Sequence, residues 1–208
     1  MKFLALDTTK AQSYIIVANG KNVEIKTLNE TRKVSEMLLS TIDEMLVTNK
    51  LTLDDFDYFA CVTGPGSFTG LRIGISTLKA FNAVLNKKLI AINSFEVFTN
   101  KISDGCIMLS CTKSSFYYAI IKSNKIIEMG VDNLVNINND KFITEKKFAC
   151  EYELKNYVDS FIEDYPQILV ESLLKMIKNN QYTAKNEFKP FYLQQSQAER
   201  NFKRKQDI

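Results

Sequence analysis

Thr63-Gly64-Pro65-Gly66-Ser67-Phe68-Thr69-Gly70-Leu71-Arg72-Ile73-Gly74-Ile75 is the stretch on which the fold turns. The run Tyr58–Thr63 that leads into it is continuously apolar, as a strand covered on both faces requires. Beyond it, a helix is predicted over Phe68–Leu85. Gly64 and Gly66 permit backbone angles and close approaches that a Cβ blocks. Pro65 stiffens the turn, and Ser67 is a natural N-cap for the helix. Two readings of the turn stay open. A glycine-rich loop that feeds a helix N-terminus can bind an anion, or it can be a tight strand-to-helix connection. The spacing does not match GxxxxGK[ST], and no lysine follows at the phosphate-holding place.

Inside the helix, Gly70 and Gly74 lie four apart on one face, and each is about 1 kcal/mol less favourable there than alanine. Such a pair predicts that another backbone comes very close. Ser67, Gly70, Gly74 and Thr77 form a groove of small side chains, which Phe81 extends. A second polypeptide can fill that groove, and so can the chain's own preceding helix or sheet. Arg72 is a candidate for an interface salt bridge, or else a solvated arginine.

Working outward, Lys2–Leu6, Ser13–Ala18 and Asn22–Leu28 read as three antiparallel strands, with Asn19-Gly20 as a type I′ turn. Lys33 to Thr48 has helical periodicity through Val34, Leu38, Ile42 and Met45. Met37, Leu39, Leu46 and Val47 widen its apolar cover, which predicts packing on two sides. Leu51–Asp57 is an acidic connector. Lys88–Ile92 is a further strand, and Ser94 is read as the cap of a short helix to Lys101. In the second half, Cys106–Cys111, Phe116–Lys122 and Lys125–Val131 repeat the three-strand opening, with a turn at Ser123-Asn124. Asp132–Lys141 reads as a loop. Glu151–Asp164 and Pro166–Asn179 read as helices, and the tail from Gln194, with Arg200, Lys203, Arg204 and Lys205, as a solvated end.

Composition narrows the chemistry. The chain has 208 residues, 45% hydrophobic and 25% charged, as an ordinary globular protein has. Its net charge of +3 argues against a self-sufficient nucleic-acid binder, though not against a helper in holding RNA. No histidine is present, which excludes Ser-His-Asp and Cys-His mechanisms and the HExxH metal sites. Cys61, Cys106, Cys111 and Cys150 show no CxxC pairing and read as free thiols. No leader and no apolar run of about 18 residues is visible, so the expected location is the cytoplasm, away from the membrane.

The segment Gly64–Gly74 closely resembles the signature of the TsaB (YeaZ) family. Phe3-Leu4-Ala5-Leu6-Asp7-Thr8-Thr9 is similar to that family's opening strand and turn. Thr31 to Leu39 is similar to its R-x-HSE-x-LL helix start, and Pro190-Phe191-Tyr192-Leu193 to its C-terminal P-x-YL. The likeness is good over residues 1–125 and weak beyond. It implies an α/β, actin-like ATPase (ASKHA, ribonuclease H-like) fold in two lobes, the second reduced. We expect residues 1–102 to form the N-terminal lobe with the pairing helices, and 103–208 a smaller lobe with a basic tail. The resemblance also implies a non-catalytic subunit of the complex that forms N6-threonylcarbamoyladenosine at position 37 of tRNA. Its implied partners are a TsaD-like subunit, a TsaE-like ATPase, tRNA through the complex, and a second copy when alone. Pairing in the family runs through the two long helices, which together with the groove places Leu38, Ile42, Met45, Ser67, Gly70, Arg72, Gly74, Thr77 and Phe81 at the interface.

The chain departs from the family pattern at Val34 (commonly histidine), at Cys111-Thr112-Lys113 (commonly Asp-Ala-Arg) and at Gln194 (commonly arginine). The alternative function is an independent small ATPase or kinase that binds Mg-ATP through Asp7, Thr8, Thr9, Gly64, Gly66 and Ser67. Against it, no Asp-Gly-Gly-Gly-Thr-like second loop is present, and one carboxylate without an opposing loop is a poor metal–phosphate clamp. No metal site is expected, and ATP or ADP with Mg²⁺ only in an assembled complex.

Overall fold

The computed structural model describes residues 1–29, 34–112, 115–133, 136–137, 141–145 and 160–194. The first sheet holds β1 (Lys2–Asp7), β2 (Ser13–Asn19), β3 (Asn22–Leu28), β4 (Tyr58–Val62) and β5 (Lys88–Ile92) in the order β3-β2-β1-β4-β5. Strands β1, β2 and β3 pair antiparallel, while β4 joins β1, and β5 joins β4, in parallel. The second sheet holds β6 (Gly105–Ser110), β7 (Phe116–Lys122), β8 (Lys125–Asp132), β9 (Phe142–Glu145) and β10 (Ser160–Ile162). Read from its far side, its order is β8-β7-β6-β9-β10, with the same strand senses in the same places. The two sheets are thus copies of one topology, and the repeated three-strand opening is its visible trace in the sequence.

Helix α1 (Val34–Asn49) and helix α2 (Phe68–Leu85) cover one face of the first sheet. Alternate strand residues point to opposite faces. Leu4, Leu6, Ile15, Val17, Phe59 and Cys61 therefore meet the helices, through Leu38, Ile42 and Met45 of α1 and Leu71, Ile75 and Leu78 of α2. Phe3, Ala5, Tyr14, Ile16, Ala60 and Val62 point the other way, into a cluster shared with Ile107, Leu109, Tyr117 and Ala119 of the second sheet. Helix α3 (Tyr165–Lys178) adds Leu169, Val170, Leu173 and Ile177 to that cluster.

A boundary at residue 102 separates the two sheets but not what packs with them. After β10 the chain returns to the first lobe. Helix α3 packs on β5 and on the 3₁₀ turn Glu96–Phe98. Thr183 N donates to Leu89 O, and Ala91 N to Thr183 Oγ1, each at 2.8 Å. Phe188 is fully buried in the cluster that α1 and α2 form with the first sheet, and Phe191 N donates to Thr63 O at 2.7 Å. Parts of residues 165–193 therefore also contact the first sheet and the elements around it.

Three local expectations are corrected. The β2–β3 hairpin turns one residue late: Asn19 pairs with Asn22, leaving Gly20-Lys21 as the loop, and only Gly20 has positive φ, as a type II′ turn requires. Ser94 does not cap a helix. Its hydroxyl donates to Pro65 O at 2.8 Å, and it is Asn93 that accepts from Phe95 N while Glu96 accepts from Asn93 N. The helix expected to run to Asp164 instead gives way to strand β10 at Ser160–Ile162, and residues 151–159 lie outside the described ones. By contrast, Ser123 and Asn124 both have positive φ in the β7–β8 turn, and α2 has the expected bounds.

Cys61 and Cys106 are buried free thiols, Cys111 is half-buried, and Cys150 lies outside the described residues. Burial, and secondarily the Asp7 carboxylate, pushes the Cys61 thiol far up. Burial, with a smaller push from Glu128, raises Cys106 to about 12. At pH 8 such a thiol is thiolate in roughly one molecule in ten thousand, and only the thiolate attacks. Intact-mass measurement after iodoacetamide at pH 8 should show both unmodified in the folded chain and both alkylated in guanidinium chloride.

Candidate functional site

The glycine turn is filled by the chain itself. Gly64 has φ +113, and a Cβ there would stand 2.5 Å from Phe191 O. The Gly64–Pro65 peptide is cis. Ser67 caps α2 as its type predicts, accepting from Gly70 N at 3.2 Å. Its own N–H donates to Thr9 O at 2.8 Å, and that same carbonyl stands 2.5 Å from where a Gly66 Cβ would be. The β1–β2 turn therefore lies in the cradle that an anion would need.

Asp7, at the end of β1, is fully buried and has both oxygens partnered. Oδ1 accepts from Thr9 N at 2.8 Å and Thr9 Oγ1 at 2.6 Å, and Oδ2 accepts from Tyr165 OH at 2.5 Å. Lys10 Nζ stands 3.0 Å over the centre of the Tyr165 ring. Thr8 Oγ1 donates to Gly70 O at 2.6 Å. Thus Asp7, Thr8, Thr9, Gly64, Gly66 and Ser67 do come together, but as one another's partners. In the alternative nucleotide reading, a phosphate at this turn would compete with the Thr9 carbonyl for Ser67 N. Among the described residues no group of three or more Cys, Asp or Glu side chains could hold a metal ion.

Several residues of the expected pairing face pack within the chain. A Cβ on Gly70 would stand 1.7 Å from Thr8 O, and one on Gly74 2.5 Å from Thr8 Oγ1 and 3.3 Å from Cys61 Sγ. The backbone that comes close is this chain's own β1–β2 turn. Leu38, Ile42 and Met45 are likewise buried in the core of their own lobe. Phe81 is half-buried and packs on Phe59, with ring centres 6.1 Å apart. Arg72 Nε donates to Tyr192 OH at 3.3 Å, and the Tyr192 ring stacks on Phe68 at 4.6 Å and 8°, so Arg72 serves a contact within the chain.

Of the expected interface, Ser67 is exposed and Thr77 half-exposed. The outer side of α2 is one step further round. It carries Thr69, Ser76, Ala80 and Val84 exposed, with Ile73 half-exposed among them. Val84 is 83% exposed, and on α1 Val47 is 71% and Leu39 55% exposed.

Tyr165 and Phe188 are the residues that sequence reasoning missed. Tyr165 stands just before the helix read from Pro166 and belongs to none of its spacing, and Phe188 is a lone aromatic in a polar stretch. Tyr192 stood in the P-x-YL motif without a role. Two of the departures touch: Gln194 Nε2 donates to Cys111 Sγ at 2.7 Å and to Tyr117 OH at 3.2 Å. Val34 is buried against the sheet, where an apolar side chain suits the site. Residues 31–33 and 113 lie outside the described ones. Among the described residues no helix is long and apolar enough to cross a membrane.

The family model described as "TsaD: tRNA N6-adenosine threonylcarbamoyltransferase" matches residues 29–158, more than half of the chain. The tRNA threonylcarbamoyladenosine biosynthesis protein TsaB of Buchnera aphidicola subsp. Schizaphis graminum is 29% identical over 98 residues, 47% of each chain. The TsaB protein of Buchnera aphidicola subsp. Acyrthosiphon pisum is 24% identical, over 86% of this chain and 92% of its own. The chain spans about half the length, or less, of the first curated relatives it matches. The solved structure of YeaZ from Pseudomonas aeruginosa superposes with a TM-score of 0.71 at 14% identity, covering 92% of this chain and 99% of that one, which shows a shared fold. With two mixed sheets in duplicate and helices on the first, the chain has the α/β, actin-like fold that its sequence led us to expect. The chain belongs to the TsaD family as that model draws it, and it is similar to the TsaB (YeaZ) proteins in sequence and in fold.

Proposed function

We propose that this chain is a non-catalytic subunit in the formation of N6-threonylcarbamoyladenosine on tRNA, and that it pairs with a TsaD-like subunit through the outer sides of α1 and α2. One observation carries the reading: the sheet-facing sides of both helices are saturated, yet their outer sides keep a run of small and apolar side chains at Ile73, Ser76, Ala80 and Val84, with Leu39 and Val47 on α1. Small residues let a partner helix come near, and removing Val84 from water adds an apolar gain. The engagement of Asp7 by Thr9 and Tyr165 supports a role without nucleotide chemistry. In this reading a TsaE-like ATPase and tRNA are reached through the complex, and two copies pair by the same face when no partner is present.

The test is co-purification with a TsaD-like protein, sedimentation, and an assay of threonylcarbamoyl transfer to tRNA. Ala80→Arg and Val84→Glu should each weaken pairing by about 100-fold, near 2.7 kcal/mol. As surface changes, they should leave stability within about 0.5 kcal/mol. If the TsaD-like protein elutes separately from the unaltered chain, or if both variants pair normally, the reading fails.

A further inference from the structure

The Asp7-Thr8-Thr9 turn touches two elements that have no reason to move together. On one side, Tyr165 in the first turn of α3 donates to Asp7 Oδ2, from 158 residues away, and its ring lies between Tyr14 at 5.5 Å, Phe98 at 5.6 Å and the Lys10 ammonium. On the other side, Thr8 Oγ1 donates to Gly70 O and Thr9 O accepts from Ser67 N, which seats the first turn of α2. Asp7 Oδ1, through Thr9 N and Thr9 Oγ1, joins the two sides. Asp7, Thr8, Thr9 and Tyr165 are buried and polar, and away from water each depends on the next for its partner.

We propose that this turn is a joint that couples the seating of α3 to the seating of α2. Tyr165 is a positioning residue in it. When its phenol is on Asp7, the carboxylate is held where Thr9 can donate to it twice, and the Thr9 carbonyl then points at Ser67. Without the phenol, one buried carboxylate oxygen loses its donor, the turn shifts toward water, and the capped end of α2 loosens with it. The coupling runs through hydrogen bonds with stated partners, and it belongs to the isolated chain whatever subunit the chain serves.

Native-state hydrogen exchange tests this on the full chain. Tyr165→Phe keeps the ring and removes one hydrogen bond to a charged group, so local opening should become about ten- to hundredfold more frequent. The expected result is faster exchange, relative to β4, at Thr9, Ser67, Gly70 and Leu71 as well as at Gln167 and Ile168 in the first turn of α3. Ile177→Ala is the comparison, because Ile177 is buried at the end of α3 opposite to Tyr165. It should destabilise the chain without that selective pattern at Thr9 and Ser67–Leu71. Wild-type rates at Ser67–Leu71 in Tyr165→Phe, whether or not α3 loosens, overturn the proposal. So does the same selective pattern in Ile177→Ala.

Discussion

Gly70→Ala should unfold the first lobe or lower its stability by about 3–5 kcal/mol, read as the midpoint of guanidinium denaturation. On helix propensity alone the change gains about 1 kcal/mol. Space decides against it. The added methyl would stand 1.7 Å from Thr8 O and 2.9 Å from Thr8 C, which are backbone atoms of a turn held on three sides. Either α2 or the β1–β2 turn has to move. Moving the turn breaks the Thr8–Gly70 and Thr9–Ser67 hydrogen bonds and disturbs a buried carboxylate. Overpacking of a well-filled site commonly costs about 1–3 kcal/mol, and the loss of buried polar partners adds to it. Gly74→Leu meets the same turn through Thr8 Oγ1 and meets Cys61 besides, so it reports on folding and cannot be read as an interface variant. A midpoint within 1 kcal/mol of wild type in Gly70→Ala would show that the turn can withdraw cheaply.

Phe188→Ala should cost a similar amount, about 3–5 kcal/mol, by the same measurement. The ring is fully buried in the cluster under α1 and α2, and removing a buried phenylalanine leaves a cavity as well as a lost transfer term. Ala184 O accepts from Phe188 N at 3.1 Å, and Phe191 N donates to Thr63 O a few residues on, so the backbone on either side is tied down and collapses poorly into the space. A change below about 1 kcal/mol would mean that residues 184–191 can lift away without disturbing the first lobe.

These two positions also mark how far the sequence could be read. The sequence pattern located β1 to β5, α1 and α2 nearly to the residue: β1, β2 and β4 are continuous runs buried on both faces, the mostly exposed β3 follows from its turn, and the helices show their spacing. The glycines of α2 were rightly read as a sign of close backbone approach. Spacing within a helix says that something comes near but not what, and the near backbone is Thr8, 62 residues away in the chain. The breadth of apolar cover on α1 suggested packing on two sides, and the resemblance placed Leu38, Ile42 and Met45 in the pairing face; those three are buried in the core of their own lobe, while Met37, Leu39 and Val47 are exposed. In the second half, β10 is three residues long, too short for any periodicity to show. Phe188 and Tyr165 act through long-range contacts, for which one sequence carries no local signal. The touching pair Cys111 and Gln194 is a middle case. Each departs from the family pattern where that pattern has a carboxylate and an arginine, and their contact means the two departures share one place in the fold.

The bridge between Thr183 and β5 has a consequence for how this chain can assemble. It gives the outermost strand of the first sheet a partner for Leu89 O and Ala91 N, so no incoming strand from another molecule can use those groups. The opposite margin, β3, presents Glu24 and Lys26, charges of the kind that discourage strand-to-strand addition. With both margins of that sheet guarded, association by the first lobe is left to side-chain packing on its helices, and runaway polymerisation through hydrogen-bonded ribbons is disfavoured there.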